Sequence, residues 1–349
     1  MFVNILKNKT IFFIAILIII PPFCVSYDSI EIDFSNNSLL LNYSNELEVY
    51  FIDVGQGDSI LIRTPGYKNV LIDTGERRYS STVINFLNKL SVETISAFIA
   101  THPHSDHIGG SEEIFNAFDI LSVYEPGYNY DSATYDRFIN SVENENCPIY
   151  TDDEIDPGYY IDIENSVSFQ ILSINNDASN ANDASIVLRV DYGSVSFLFT
   201  GDINGNKGDY VENYIVDNWD VDIDILKVSH HGSFHASTDY FLNEATPELS
   251  IISCGDDNSY GHPHQETLYR LSNHGSTIYR TDENGHVTVK TDGFSWNIFY
   301  EKPKDRPMKP TIYGPEIGIA GNEYYFELCS NDPNNDQLFY YVDWCDGCN

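Results

Sequence analysis

The sequence predicts an α+β fold in which helices cover β-sheets, followed by a short all-β segment at the carboxyl end. The first observation is a run of strand-like segments from Leu47 to Asp73, separated by turns that contain glycine and proline. The second is a helical pattern over Tyr79 to Leu90 that leads into a buried strand over Ile95 to Ala100. The third is a return to strand-like patterns from Val167 onwards. Such an alternation places helices on the outside of sheets.

Composition and charge set the size of the core and limit the partners. The chain has 349 residues, of which 42% are hydrophobic and 14% aromatic, so a domain of roughly 250 residues and a smaller piece are expected. The formal net charge is -35. So acidic a surface repels polyanions, and the sequence has no basic stripe of the kind that binds nucleic acid tightly.

The first 26 residues have the layout of a secretory signal peptide. Lys7 and Lys9 precede an apolar run from Ile11 to Ile20, and a small residue, Ser26, follows two prolines. An uncleaved membrane anchor is the alternative, although the apolar run is short for a spanning helix. Both interpretations predict a secreted or surface-tethered protein. A single apolar segment does not predict a transmembrane channel.

The elements before the candidate site follow from turns and periodicity. Strands are predicted over Leu47–Asp53, Ser59–Thr64 and Val70–Asp73. The helix that follows carries its apolar residues on one face, namely Val83, Phe86, Leu87 and Leu90. The next strand ends at a loop that delivers side chains to the mouth of the sheet.

That loop carries three imidazoles and one carboxylate within six residues. His102 and His104 are expected to converge on one metal ion, and Asp106 and His107 to reach a second. Imidazole together with carboxylate suits zinc, manganese or iron at neutral pH. The loop therefore predicts a site for two metal ions.

The segments around the loop resemble the metallo-β-lactamase superfamily and, within it, the ComEC-like hydrolase domain. The resemblance runs from Leu47 to Tyr300. Its matching segments are Phe51–Ser59, Leu71–Gly75, His102–His107, Thr200–Asp202, Val228–Ser233 and Tyr260–Pro263. The resemblance implies an αββα sandwich and a hydrolase that uses two divalent ions, Zn²⁺ or Mn²⁺.

Two later strand ends are expected to complete the metal ligands. Asp202 follows a predicted strand over Val195–Thr200, where its carboxylate can bridge two ions. His230 and His231 follow a predicted strand over Ile223–Val228. His230, the first of the pair, is predicted to bind the second ion, which leaves His231 to contact the substrate or to support the metal ligands.

The first ion is expected to have fewer imidazole ligands than in many members of the superfamily. Those members supply a further histidine before the Gly-Asp motif, and no histidine occurs here between His107 and His230. The ComEC-like branch lacks it as well. Water or Asp183 would fill the place, and the loss of a nitrogen ligand makes manganese a candidate beside zinc.

Other residues are expected to support the metal ligands or to contact the substrate. For Asp73 and His262 these roles are implied by the resemblance. Asp73 is expected to hold a metal-binding histidine or water in orientation. Asp58 would do the same or cap a hairpin, and Asp183 is a further candidate for such a role. His262 matches a Gly-His-Pro motif and is expected to contact the substrate or its leaving group.

The region from Leu121 to Ile163 predicts a loop and a helix over the entrance of the site. Tyr124, Tyr128 and Tyr130 are candidates to stack on a substrate there, with local packing as the alternative. After the hydrolase domain of residues 47–301, residues 302–310 read as a linker rich in proline and charge. Residues 311–349 resemble the start of a PKD-like, immunoglobulin-like β-sandwich, and their three cysteines leave the disulfide pairing open.

The predicted reaction is hydrolysis of a phosphodiester, with extracellular DNA among the substrates that the resemblance suggests. A water between the two ions would lose a proton because metals lower its pKa to roughly 7. Asp106 would orient that water during its attack, and His262 or His231 would protonate the leaving group.

Three alternatives stay open at this point. Because phosphate contacts dominate affinity for nucleic acid, the acidic surface favours a small phosphoester of the phosphorylcholine type as the nearest alternative. Hydrolysis of a β-lactam or lactone uses the same metal-bound water. A surface adhesion or binding protein that has lost activity is the alternative of another class, and its metal content would identify it.

Overall fold

The computed structural model describes residues 45–256, 258–301, 311–313 and 327–329. The predicted signal peptide, the linker of residues 302–310 and most of the PKD-like segment lie outside these residues. Within the described part of the chain, no helix combines the length and apolar character that crossing a membrane requires.

The described strands and helices are numbered here in chain order. The strands are β1 (Leu47–Phe51), β2 (Ile60–Arg63), β3 (Asn69–Ile72), β4 (Thr94–Ile95), β5 (Ala97–Ile99), β6 (Asp119–Ile120), β7 (Val123–Tyr124), β8 (Ile149–Tyr150), β9 (Val167–Ser173), β10 (Val187–Tyr192), β11 (Val195–Phe199), β12 (Ile225–Lys227), β13 (Leu249–Ile252), β14 (Thr277–Arg280), β15 (Val287–Thr291), β16 (Trp296–Tyr300), β17 (Thr311–Tyr313) and β18 (Glu327–Cys329). The α-helices are α1 (Ser80–Lys89), α2 (Ser105–Ile108), α3 (Ser111–Ala117), α4 (Ala133–Glu145), α5 (Val211–Asn218), α6 (Asp239–Ala245), α7 (Gln265–Asn273) and α8 (Thr281–Asn284). Short 3₁₀ turns cover Arg77–Tyr79 and Ser229–Gly232.

Two mixed sheets form the centre of the fold. The first has eight strands in the order β16-β15-β1-β2-β3-β5-β7-β8, and its β3, β5, β7 and β8 run parallel. The second has six strands in the order β14-β13-β12-β11-β10-β9, of which β11 to β14 run parallel. The pairs β4-β6 and β17-β18 form separate two-stranded sheets.

The sheets pack face to face, and helices cover both outer faces. Val49 and Phe51 of the first sheet belong to one buried cluster with Phe197 of the second, whereas Tyr50 packs in a different cluster on the opposite face. This period of two is the alternation that a strand buried on both sides requires. Helices α1, α3 and α4 cover the outer face of the first sheet, and α5, α6 and α7 that of the second. The predicted αββα sandwich is therefore confirmed.

The strand bounds agree with the sequence patterns except at Ile95–Ala100. The predicted single strand is divided at Ser96, because β4 pairs with β6 whereas β5 pairs with β3 and β7. Helix α1 ends one residue inside each predicted bound, with Val83 and Leu87 buried. Helix α4 and the short strands β7 and β8 lie in the region predicted as a loop and helix.

Candidate metal centre

Strands of both sheets end at one edge of the sandwich, where they deliver the predicted site residues. Asp73 follows β3, and the histidine loop follows β5. From the second sheet, Asp202 follows β11 and His231 follows β12. Since parallel strands share the edge at which their carboxyl ends meet, side chains far apart in sequence come together there.

Four side chains converge at one of two neighbouring positions, the one expected to hold the second ion. The Nε2 atoms of His107 and His231 lie 3.2 Å apart, and each lies 3.4 Å from Asp202 Oδ2. Asp106 Oδ2 lies 3.4 Å from His231 Nε2. Ligands bound at 2.0–2.1 Å around a common tetrahedral ion lie about 3.3 Å from one another. The spacing of these atoms is therefore that of ligands to one ion.

A second group adjoins the first through Asp202. His102 Nε2 lies 3.1 Å from His104 Nδ1 and 3.9 Å from Asp202 Oδ2. Near the same carboxylate oxygen, His230 Nε2 lies 4.0 Å from Oδ2 and 3.3 Å from Asn182 Nδ2. Asp202 thus stands between the two groups, where the sequence placed a bridging ligand.

The rings of the centre are fixed through their outer nitrogens. His107 Nδ1 lies 2.8 Å from Asp73 Oδ2, and His231 Nδ1 lies 2.9 Å from the Ser253 carbonyl. Asp73 is itself held by the backbone N–H and hydroxyl of Thr101. Because a carbonyl or carboxylate oxygen accepts, each Nδ1 donates, which leaves each Nε2 facing the centre.

The structure exchanges the positions predicted for the two adjacent histidines. His231 is buried beside His107 and Asp106, whereas His230 is partly exposed beside Asn182. Both residues have a left-handed backbone, with φ of 51° and 53°, which is uncommon outside glycine. This backbone turns the two neighbouring rings into the same site, and sequence order alone cannot show which ring reaches deeper.

Asp58 lies behind the imidazoles and is paired with a buried lysine. It can be grouped with His107, Asp202 and His231, with one ligand atom of each within 4.8 Å of the others. Its close approaches, however, are to the outer nitrogens of the two rings, at 3.6 and 3.8 Å, and to the ammonium of Lys227. We therefore interpret Asp58 as a residue that supports the rings, which is one of the two roles that the sequence left open.

Asp183 does not take the place of the missing histidine. Its buried carboxylate accepts hydrogen bonds from Asn180, Asn204 and the backbone of Asp209. Asn204 Oδ1 in turn lies 3.2 Å from His230 Nδ1, so Asp183 acts on the centre only through Asn204. The neighbouring Asn182, not Asp183, lines the cavity in front of the centre.

The carboxylates make the centre attractive to positive charge. Burial lowers the pKa of His231, but the Asp202 and Asp106 carboxylates outweigh this effect and raise it to about 10. The pKa of His107 is likewise raised by Asp202 and Asp73 against the effect of burial. Burial lowers the pKa of His102 well below its ordinary value and that of His230 to about 4. Cations are thus favoured where the carboxylates meet the rings.

Unpartnered oxygens fit the binding of metal ions. Among the described residues, Asp202 Oδ1 and Asn182 Oδ1 are buried without a hydrogen-bond partner. Buried polar atoms nearly always have a partner in a protein, so these two are expected to have one that is not a protein atom. Imidazole nitrogens with carboxylate and amide oxygens are ligands suited to zinc or manganese.

A cavity of about 510 Å³ opens over the centre. Its wall includes His104, Asp106, His230 and His262, together with Tyr130 and Tyr260. His262 Nδ1 is buried without a hydrogen-bond partner among the described residues. Burial and the neighbouring His231 lower the pKa of His262 to about 3, so a hydrogen-bonding contact suits this ring better than the predicted role of acid.

For some residues around the centre, the sequence predicted no role or left two roles open. Tyr124 is buried and stacks on Tyr150 at 4.8 Å, which is the local packing that was its alternative, whereas Tyr130 reaches the cavity. Lys227 was missed, although a lysine inside an otherwise apolar strand was a signal for a buried charge. Tyr260 belongs to the matching segment Tyr260–Pro263, but the sequence predicted a substrate contact for His262 alone in that segment.

Comparisons with known proteins agree with this geometry. A model described as the metallo-beta-lactamase superfamily matches residues 52–256. ComE operon protein 3 of Bacillus subtilis (strain 168) is 31% identical over 66% of this chain and 31% of its own length. Recombination protein 2 of Haemophilus influenzae is 30% identical over 64% of this chain and 26% of its own length. Competence protein ComA of Neisseria gonorrhoeae is 30% identical over 66% of this chain and 30% of its own length. The chain thus spans about a third of these curated relatives or less.

Proposed function

Because the chain belongs to the metallo-beta-lactamase superfamily and its centre offers a metal-binding group, we propose that it is a phosphodiesterase that uses two divalent ions. The observation that carries the proposal is the convergence of two Nε2 atoms and two carboxylates, whose measured separations are 3.2–4.0 Å, next to the pair formed by His102 and His104. Zinc and manganese both suit these ligands.

Two ligand sets that share Asp202 would hold the ions. The first ion would be held by His102, His104 and Asp202, with Asn182 or His230 at its open side. The second would be held by Asp106, His107, His231 and Asp202. When bound, the ions supply positive charge for the phosphate and lower the pKa of a coordinated water toward roughly 7.

The residues around the ions would position the reacting groups. Asp106 lines the cavity and would accept a hydrogen bond from the attacking water. Asp73 and the Ser253 carbonyl keep His107 and His231 in orientation. His262 lines the cavity and would contact the leaving group.

We favour a phosphodiester as the substrate because of the processes for which two relatives are named. Two of them are named for recombination and competence, which are processes that act on DNA, a phosphodiester polymer. The acidic chain and the wall of the cavity, which has no Lys or Arg among the described residues, favour a short substrate over tight binding to a long strand. A small phosphoester of the phosphorylcholine type remains the second candidate for the same reason.

The first test is hydrolysis of bis(p-nitrophenyl) phosphate by the chain loaded with zinc or with manganese. We expect metal-dependent turnover that His102→Ala reduces at least about 100-fold, because one ion loses a ligand. His274→Ala is the matched control, since this histidine pairs with Asp239 at the surface, and it should retain activity.

Nitrocefin in the same assay separates the rival reactions. Turnover of nitrocefin alone would move the protein to the lactam or lactone class. A chain that takes up neither zinc nor manganese would favour the adhesion protein that has lost activity.

We further propose that the protein acts outside the cytosol. The proposal is supported by the charged and apolar pattern of residues 1–26. Fractionation of expressing cells tests it, because an unprocessed cytosolic product would contradict it.

A further inference from the structure

We propose that Tyr130 and Tyr260 stack on the two groups that flank the scissile phosphodiester, and that these groups are nucleobases. This inference rests on the proposed phosphodiesterase function and gives it a substrate class. It starts from two aromatic side chains in the wall of one cavity that the hydrolytic scheme itself does not use.

A row of neighbouring rings joins the two tyrosines to the candidate metal ligands. Beginning at Tyr130, the centroid distances are 5.4 Å to His104, 4.7 Å from there to His102, 4.1 Å to His107, 5.2 Å to His231, 6.2 Å to His262 and 5.6 Å to Tyr260. The candidate metal ligands occupy the middle of this row. A phosphate held there would lie in the same cavity as both tyrosines.

Tyr260 is exposed yet held in place. It is 64% exposed, and its ring stacks on His262 with an angle of 21° between the planes. Asn258 fixes the loop, since its Oδ1 accepts from the backbone N–H groups of Tyr260 and His262 while its Nδ2 donates to two carbonyls. An exposed aromatic ring on an ordered loop loses little conformational entropy when a ligand binds.

Tyr130 is anchored at the other end by the start of α4. Its carbonyl accepts a hydrogen bond from the Ser132 N–H. The Ser132 hydroxyl then caps α4 by accepting from the Tyr135 N–H. The ring of Tyr130 meets that of His104 edge to face, at 66°, and remains partly exposed at the cavity wall.

The chemistry of the wall favours flat, aromatic flanking groups. With no Lys or Arg in the described wall, further phosphates of a ligand would find no cationic partner there, so recognition has to use the non-phosphate parts. Aromatic side chains stack on any nucleobase, which gives affinity without sequence preference. A quaternary ammonium would also bind over tyrosine faces, and it is the rival that the test must separate.

The test uses three esters that share a p-nitrophenolate leaving group and differ in the second flank. They are thymidine 5′-(p-nitrophenyl phosphate), methyl p-nitrophenyl phosphate and p-nitrophenylphosphorylcholine. Kinetics are measured for the metal-loaded chain and for Tyr130→Ala and Tyr260→Ala, with Tyr130→Phe and Tyr260→Phe to restore the ring. Tyr269→Ala, which removes a tyrosine that is 71% exposed and lies away from the cavity, is the matched control.

We expect both alanine variants to raise the KM for the thymidine ester about tenfold, with kcat nearly unchanged. For the methyl ester, which has one aromatic flank, only one of the two alanine variants should raise KM. The phenylalanine variants and Tyr269→Ala should behave like the unmodified chain.

Equal effects of both alanine variants on the thymidine and methyl esters would overturn the inference, because they would indicate a structural role. A rise in KM confined to the choline ester would also overturn it, in favour of a quaternary ammonium. No turnover of any ester by the unmodified chain would instead overturn the phosphodiesterase proposal on which the inference rests.

Discussion

At the scale of single residues, Lys227 shows how the centre tolerates so many acids. Its ammonium is buried against Asp58, lies 3.9 Å from Asp202 Oδ1 and donates to the Gly201 carbonyl at 3.1 Å. Burial lowers the pKa of Lys227, but Asp58 and Asp202 outweigh this effect and raise it. The lysine therefore stays charged and balances one carboxylate behind the histidines.

Replacing this lysine should be costly to the fold. We expect Lys227→Met to reduce the free energy of unfolding by about 3 kcal/mol, because it leaves the Asp58 carboxylate buried without its cation. Urea denaturation in the presence of a chelator measures the change without a contribution from bound metal.

A second lysine-carboxylate pair provides the control. Lys290 pairs with Glu48 across β15 and β1, but its side chain is 32% exposed. Lys290→Met should therefore cost no more than about 1 kcal/mol. Equal losses in the two variants would contradict the role given to the buried pair, and Asp58→Asn should restore part of the stability of Lys227→Met.

Much of the centre could be predicted from the sequence, but not which of two adjacent side chains enters its buried part. The histidine loop and Asp202 follow from residue types placed at strand ends, whereas the supporting role of Asp73 was implied by the resemblance. The choice between His230 and His231 depends on two left-handed backbone conformations, which are set by the surrounding structure. The sequence also could not show which of Asn182 and Asp183 faces the cavity, since the conformation of the loop decides the direction of each side chain.

At the scale of elements, strands were predictable from their own residues, whereas their partners were not. Val49 and Phe51 face the second sheet because apolar residues alternate with period two along β1. Nothing within Ile95–Ala100 shows that its first residue pairs with β6 and that Ala97–Ile99 pair with β3 and β7. Pairing joins distant segments, so a local pattern carries no record of it.

The turn that follows β12 is tightly packed, and this leads to a prediction. Gly232 has a φ of +83°, and a Cβ there would lie 2.5 Å from Pro263 Cβ. We expect Gly232→Ala to destabilise the protein by about 1–3 kcal/mol more than Gly275→Ala, because of this overlap. Gly275 has the same φ of +83° but open space around the added Cβ, so the pair isolates the steric contribution.

Urea denaturation of both variants measures the difference. Similar losses would mean that backbone strain, which the two positions share, accounts for the whole effect. Because Gly232 directly follows His231, metal affinity should fall in Gly232→Ala and remain unchanged in Gly275→Ala.

At the scale of the whole molecule, the net charge of -35 should make stability depend on salt. Self-repulsion of a strongly charged chain destabilises its compact state. Raising ionic strength from 0.01 M to 1 M shortens the Debye length from about 30 Å to about 3 Å. We therefore expect the Tm in chelator to rise by several degrees over this range of NaCl, as followed by calorimetry, and an unchanged or falling Tm would contradict the prediction.

Both sheets contribute residues to the centre, and this affects when the protein can bind its metal ions during synthesis. Asp73, His102 and His107 belong to the first half of the chain, whereas Asp202 and His231 are translated about a hundred residues later. A nascent chain that ends before β11 carries the histidine loop but lacks the carboxylate that joins the two ligand groups, and it also lacks β15 and β16, which complete the first sheet. Ion capture must then be a late event in biogenesis, and a cell that exports the chain before the sheets have docked would load its metal on the far side of the membrane.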